Sequence, residues 1–302
     1  MINEKHIHYL LTVANEHSIT AAAKKLFISQ PALSRFIREV ERTIGTPLFI
    51  RDRGNLHLTK AGEIYLKGCQ DVWHLAQSTT KEITELTHGH TGKITLGVTP
   101  LTGEFVFPAI LDTFSQAFPH VELTLQEERM SVLYERVKKG AVDIALVYQN
   151  HDPELTFHYI YENPIYIQVP PSFAVKNEIR SKKEPFTAIS PTQLANQAMI
   201  LLKKGREMRE IATSFFENFQ IVPAKILETE NIHLASNLVS LDKGFTFVPA
   251  IFCRKRQPTD SNFYVQLDDY PLKRELFCCH RKNAYLTEAE QFLIRELPKI
   301  LA

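Results

Sequence analysis

Residues 19–42 read ITAAAKKLFISQPALSRFIREVER. The spacing predicts two short helices joined by a tight turn. Ser18 can cap the first, since its hydroxyl accepts from an orphan amide of the opening turn. Ala21, Ala22 and Ala23 let a second helix approach closely, Leu26 closes the apolar side, and Phe27 and Ile28 are expected to fill the turn and plug the core. Ser29 caps the second helix, and Pro31 sits in its first turn, where a missing amide hydrogen costs little. In that helix Leu33, Phe36, Ile37 and Val40 fall at i, i+3, i+4 and i+7, one buried face. Gln30, Ser34 and Arg38 step by four on a different face, with Pro31 and Arg35 beside them. Arg can pair bidentately with guanine and Gln with adenine, so this face suits a major groove. The same spacing fits an ordinary amphipathic helix with a solvated polar face. The paired caps, the alanine triplet and the segment downstream favour DNA.

Upstream, Ile7, Leu10, Leu11 and Ala14 repeat at helical spacing. Downstream, Leu48-Phe49-Ile50-Arg51 and Leu56-His57-Leu58-Thr59 flank Asp52-Arg53-Gly54-Asn55, the pattern of a β-hairpin wing. Arg51 and Arg53 can reach phosphate or the minor groove from it, or stand as solvated surface arginines.

These blocks resemble, in order, the N-terminal signature of the LysR-type transcriptional regulators: Ala21 to Leu26, Ser29 to Ser34, Ile37 to Glu41, Leu48 to Arg51 and Leu58-Thr59-Lys60-Ala61-Gly62. One departure is Gly54, where the family often has a basic residue; here Arg53 precedes it. The resemblance implies an α/β protein with an N-terminal winged helix-turn-helix, a long linker helix and a two-lobed, periplasmic-binding-protein-like effector domain. It implies contact with double-stranded operator DNA through Ser29, Gln30, Pro31, Ser34, Arg35, Arg38, Arg51 and Arg53. It also implies a homodimer, often paired into a tetramer, that works with RNA polymerase.

Net charge is only +1 over 302 residues, at first sight wrong for a DNA binder. The distribution answers this: residues 1–60 carry nine Lys/Arg against five Asp/Glu, and the remainder 26 against 29. Phosphate attraction would be local to a small basic head. No run of 18 apolar residues suggests a membrane span, and the N-terminus lacks the apolar core of a signal peptide, so a cytoplasmic protein is expected. Cys69, Cys253, Cys278 and Cys279 show no metal-ligand spacing. The vicinal Cys278 and Cys279 read as two small buried residues on a strand, or alternatively as redox sensors like those of the family's peroxide-responsive members. The Gly89 to Ile94 stretch lacks the spacing and following hydroxyl of a phosphate loop, and His88 and His90 lack further ligands; no metal or cofactor is expected.

Thr59 can cap a helix running from Lys60 to about Thr87, roughly 42 Å long. Val72, Leu75, Thr79, Ile83 and Leu86 form a seam along it, with Trp73 flanking. The seam suits a second copy, or packing against the same chain. The expected domains are 1–59 (DNA binding), 60–90 (linker and dimerisation) and 91–302 (effector binding). The last divides into lobe I, about 91–165 and 268–302, and lobe II, about 166–267.

Beyond Lys93, strands are expected at 94–98, 121–126 and 142–147, with helices at 105–118, interrupted early by Pro108, and at 132–139. This is a βαβαβ pattern and hence a parallel sheet. Residues 165–169 read as a crossover into a second unit with strands at 199–202, 225–227 and 245–248 and helices at 207–219 and 232–241. Strands at 263–266 and 275–280 and a helix at 287–300 complete the chain. Ligands of such sheets sit beyond the carboxyl ends of the strands. The first such loop, Thr99-Pro100-Leu101-Thr102-Gly103, opens a helix, and its hydroxyls and free amides suit an anion. By resemblance Thr99, Pro100, Leu101 and Thr102 match effector-contacting positions, as do Glu128, Tyr148, Leu202, Thr229 and Asn231. Arg129, Lys203, Lys204 and Arg206 add positive charge nearby, so a small anionic metabolite is expected. Equally, Thr99 and Thr102 can be helix caps and the basic residues solvated.

The leading expectation is a transcriptional regulator. A solute-binding transport protein fits poorly with the basic head, and an enzyme fits poorly because no Ser-His-Asp, paired-carboxylate or metal pattern stands out.

Overall fold

A computed structural model describes residues 4–52, 55–148, 151–179, 186–255 and 263–301. The chain divides into two compact units, Met1–Gly89 with Asn283–Thr287, and His90–Lys282 with Glu288–Ala302.

The first unit opens with α1 (Glu4–Glu16), α2 (Ile19–Lys25) and α3 (Gln30–Ile44). Both predicted caps form: the Ala21 amide donates to Ser18 Oγ and the Ala32 amide to Ser29 Oγ, each at 3.3 Å. Ala22, Ala23, Leu33 and Ile37 are buried with Val13 and Leu56 in one cluster. Two expectations fail here. Ala21 is exposed, and Phe27, expected in the core, is 96% exposed. The turn residue takes a left-handed φ of 56°, which leaves its ring in solvent while Ile28 packs inward.

Glu41 fixes the start of the hairpin by accepting the amides of Leu48 (2.8 Å) and Phe49 (3.1 Å). The hairpin is β1 (Phe49–Asp52) against β2 (Asn55–Leu58), antiparallel, as predicted. The Leu56 amide donates to the His17 carbonyl at 3.0 Å, tying the hairpin to the α1–α2 corner. Then α4 runs from Lys60 to His88, its first turn capped by Thr59, whose Oγ1 accepts from the Gly62 amide (2.9 Å) and donates to the Pro47 carbonyl (2.7 Å). Gly62 lies where a Cβ would collide with the Leu48 carbonyl, so only glycine lets the helix press this close to the base of the hairpin. Leu66 and Cys69 of α4 pack on Ile7 and Leu10, with Trp73 partly buried against them. Farther along, Val72, Leu75, Ile83 and Leu86 are 54–80% exposed. Residues 283–287 belong to this unit: the Tyr285 hydroxyl donates to Glu85 Oε2 at 2.7 Å.

In the second unit, β3 (Gly92–Val98), α5 (Pro100–Ala117), β4 (Val121–Glu127), α6 (Met130–Lys138) and β5 (Ile144–Val147) form the expected βαβαβ arrangement, with β3 parallel to both β4 and β5. Helix α5 begins five residues earlier than predicted, because Pro100 fits its first turn. Pro108 does not interrupt it and forfeits only the backbone bond to the Glu104 carbonyl.

Residues 165–169 do carry the chain from one core into the other, as expected, but not as a separate segment. They are the far half of one long strand, β6 (Leu155–Val169). It is followed by α7 (Pro171–Lys176), β7 (Ala188–Ile189), β8 (Ala198–Leu202), α8 (Glu207–Phe219), β9 (Lys225–Thr229), α9 (Ile232–Ser240), β10 (Thr246–Pro249), α10 (Ala250–Lys255), β11 (Phe263–Leu267), β12 (Lys273–Arg281) and α11 (Glu288–Leu301). The near half of β6 pairs with β12, and the far half with β10 and β11. The two largest hydrophobic clusters of this unit follow the division. One gathers Leu96, Val98, Ile110, Phe114, Leu276 and Leu293; the other gathers Ile167, Val169, Met208, Phe215, Phe245 and Phe247.

Candidate functional site

In the first unit, α3 turns Leu33 and Ile37 into the core and leaves Ser29, Pro31, Arg35 and Arg38 exposed. Gln30 and Ser34 are partly buried, and Gln30 Nε2 donates to Ser34 Oγ at 2.7 Å, one turn apart on the same face. Arg51 is exposed on β1. Arg53 lies outside the described residues. Among the described residues Arg35, Arg38 and Arg51 make no ion pair, so their guanidinium donors are open.

In the second unit, a cavity of about 400 Å³ opens at the carboxyl ends of β3, β4, β8 and β9. Four helices start at its wall: α5 with Thr99 and Pro100, α6 with Arg129 and Met130, α8 with Arg206 and Glu207, and α9 with Asn231 and Ile232. Only α9 has a side-chain cap, in which Asn231 Oδ1 accepts from the amides of His233 (2.8 Å) and Leu234 (3.2 Å). The other three present uncapped opening turns.

The predicted effector residues divide into wall and support. Thr99, Pro100, Leu101, Arg129, Leu202 and Asn231 line the cavity. Thr102 and Tyr148 stand behind them in a chain of hydroxyls: Thr99 Oγ1 to Thr102 Oγ1, and Thr102 Oγ1 to the Tyr148 hydroxyl, each 2.9 Å. Thr99 therefore bonds to a neighbouring hydroxyl and caps nothing with its side chain. Glu128, Lys203 and Thr229 do not line the cavity. Glu128 pairs with Arg136 at 2.9 Å. Thr229 is buried and accepts the Asn231 amide at 3.1 Å. Lys203, Arg129 and Arg206 all approach a single carboxylate, Glu230, at 3.4, 3.8 and 3.7 Å, which leaves an excess of cations there. The hydrogen bond and charge of Lys203 hold the Glu230 carboxyl below its usual value.

Sequence reasoning missed Arg274 and Glu207. Arg274, on β12, is buried, lies over the Tyr148 ring at 3.7 Å and forms an ion pair with Glu207 at the start of α8. Burial pushes the Glu207 carboxyl up to about 7, against the pull of Arg274. Nothing near Arg274 in sequence marks it; only the pairing of β12 with β6 brings it to the cavity. Glu104 and His233, 2.9 Å apart at the wall, were also not anticipated.

All four cysteines are buried, and none forms a disulfide. Burial raises the Cys69, Cys278 and Cys279 thiols, the last to about 12, and Cys278 and Cys279 face different hydrophobic clusters. Buried thiols raised in this way lack the exposure and the lowered values of reactive sensor cysteines.

Two family models cover almost the whole chain: the bacterial regulatory helix-turn-helix protein, lysR family, over residues 5–63, and the LysR substrate binding domain over residues 87–301. The chain belongs to the LysR family of transcriptional regulators. This LysR regulator is 26% identical to the uncharacterized HTH-type transcriptional regulator YcgK of Bacillus subtilis (strain 168), over 95% of this chain and 91% of that protein. It shares its fold with a full-length variant of OxyR from Pseudomonas aeruginosa, with a TM-score of 0.69 at 18% identity, over 99% of this chain and 94% of that one. It also resembles full-length CbnR complexed with its target DNA, with a TM-score of 0.56 at 19% identity, over 98% of this chain and all of that one. It is a DNA-binding transcriptional regulator with a C-terminal effector-binding domain. Among the described residues no helix is long and apolar enough to cross a membrane.

Proposed function

We propose that this regulator is a cytoplasmic homodimer, assembled further into a tetramer, that reads a two-fold-related operator with α3 and responds to a small anion in the cavity of the second unit. The cavity carries the reading: three uncapped helix starts converge on one space of about 400 Å³, where Arg129, Arg206 and Arg274 stand against Glu104, Glu207 and Glu230. Uncapped opening turns present amide donors and the positive end of the helix dipole, which together favour a negative group. A volume of this size suits a metabolite. The exposed seam of α4 supports the dimer, since four large apolar side chains on one helix call for a partner. Domains 1–59, 60–90 and 91–302, with lobes about 91–165 plus 268–302 and 166–267, fit this division of labour.

On DNA, Gln30, Ser34, Arg35 and Arg38 are the base-reading residues, while Ser29, Pro31, Arg51 and Arg53 position the backbone. The family membership adds contact with RNA polymerase to this reading. An effector changes the operator complex only through different affinities for two arrangements of the protein.

The test is calorimetry of the full chain with a panel of small carboxylates and phosphates, beside a cavity-filling Leu101→Trp variant. The reading predicts binding to the wild type that Leu101→Trp abolishes with folding intact. Binding that survives Leu101→Trp would place the effector elsewhere.

A further inference from the structure

Arg274 is only 7% exposed at the cavity wall, yet among the described residues two of its three guanidinium nitrogens, Nε and Nη2, have no hydrogen-bond partner. Only Nη1 is engaged, with Glu207. Asn163, directly opposite Arg274 on the neighbouring strand, is completely buried; its amide lies near the Tyr148 hydroxyl, and among the described residues neither amide atom completes a hydrogen bond. Buried polar groups are rarely left so, and unmet donors on Arg274, a residue of the cavity wall, mark a place where something else binds. The guanidinium is held against the Tyr148 ring, and Tyr148 is fixed in turn by Thr102. The donor fork is therefore rigid, and a planar rigid fork matches a carboxylate. Its present occupant, Glu207, is a carboxylate.

We propose that Arg274 is the seat of the effector's carboxylate, and that Glu207 is a resident carboxylate that occupies the seat in the empty protein and leaves it by taking up a proton. This rests on the reading of the cavity as the effector site. In the exchange, the ion pair between Arg274 and Glu207 opens, the incoming carboxylate pairs with Arg274, and one proton from solvent converts Glu207 to a neutral acid. One anion and one proton enter together, so the net charge of the site is unchanged. Burial already holds the Glu207 carboxyl at about 7, which makes it a ready acceptor near neutrality. The other charged groups that face it are few: Tyr148 beyond Arg274, Arg206 on its own helix start, Glu104 and His233 across the wall, and Arg129 and Glu230 at the rim. Glu207 belongs to the lobe of α8 and Arg274 to that of β12, so the exchange replaces a tie between lobes by a ligand-mediated one.

The probes are acetate, pyruvate and benzoate, with inorganic phosphate as a comparison, titrated into the full chain from pH 6 to pH 9. Calorimetry in buffers of different ionisation heat counts the protons. For at least one carboxylate, the dissociation constant is expected to be flat well below pH 7 and to rise about tenfold per pH unit well above it, the signature of one linked proton. Proton uptake should approach one per ligand at pH 8.5. Arg274→Met should weaken binding about 10- to 100-fold, the scale of a lost charge-assisted hydrogen bond. Glu207→Gln should bind without the pH dependence, and at pH 8.5 more tightly than wild type. Should Glu207→Gln not fold, proton uptake by the wild type decides alone.

Carboxylate binding with no proton uptake at pH 8.5, or failure of every carboxylate to bind at tens of millimolar, would overturn the proposal. So would phosphate binding that ignores Arg274→Met while carboxylates do not bind. Binding abolished by Leu101→Trp but indifferent to Arg274→Met would sink this inference and leave the cavity reading standing. Binding indifferent to Leu101→Trp would remove both.

Discussion

Arg35 is exposed on α3 and makes no ion pair among the described residues, so its fork is available to a base edge. Arg35→Ala should cost about 1–3 kcal/mol in operator binding and relax preference at one base position. Fluorescence anisotropy on specific and random duplexes checks this; an equal loss on both would assign Arg35 to phosphate alone. At the cavity, the Tyr148 hydroxyl is buried and leans on Thr102. Thr102→Val should destabilise the protein by about 1–3 kcal/mol, because a buried phenol loses its partner; denaturant titration measures it, and an unchanged midpoint would refute the hydroxyl chain. Residues whose role follows from local spacing, such as Ser18, Ser29, Leu33 and Ile37, were legible in the sequence. Phe27 was not, because a run of apolar letters does not show that the backbone turns left-handed at that point and carries the ring outward.

Thr59 shows how an element is set. Its hydroxyl both caps α4 and holds the Pro47 carbonyl, so Thr59→Ala should cost about 0.5–2 kcal/mol, read as a lower midpoint for unfolding of the first unit. The pairing of β6 with β12 carries a pH dependence. The His158 and His280 Nε2 atoms lie 3.0 Å apart, and burial lowers both from 6.5. A lowered base binds its proton less readily folded than unfolded, so its contribution to stability is complete above about 6.5 and is lost as pH falls through the folded values. His280→Asn should flatten that acid limb between pH 7 and pH 5; an unaltered limb would exclude the pair as its origin. The α4 helix was legible nearly to the residue because its cap and seam are local signals. Strand β6 was not: its halves pair with different strands in different cores, and its apolar pattern changes midway, so only the second half was noticed.

Across the whole molecule, basic charge concentrates in the first 60 residues on a chain whose net charge is +1. Operator affinity should therefore fall steeply with salt, with a slope of log K against log salt set by the few phosphates that this head neutralises. The α/β architecture of the second unit was legible from the alternation of strands and helices. The Arg274–Glu207 pair was not, since 67 residues separate its partners and only the return of β12 beside β6 brings them together. The most direct test of this regulator's central property is selection of bound duplexes from a random pool by the purified full chain at physiological salt, beside a Gln30→Ala/Arg35→Ala variant. Enrichment of a two-fold-related motif by the wild type, lost in the variant, is the predicted result. No enrichment, or the same motif recovered with the variant, would contradict the assignment of sequence reading to α3.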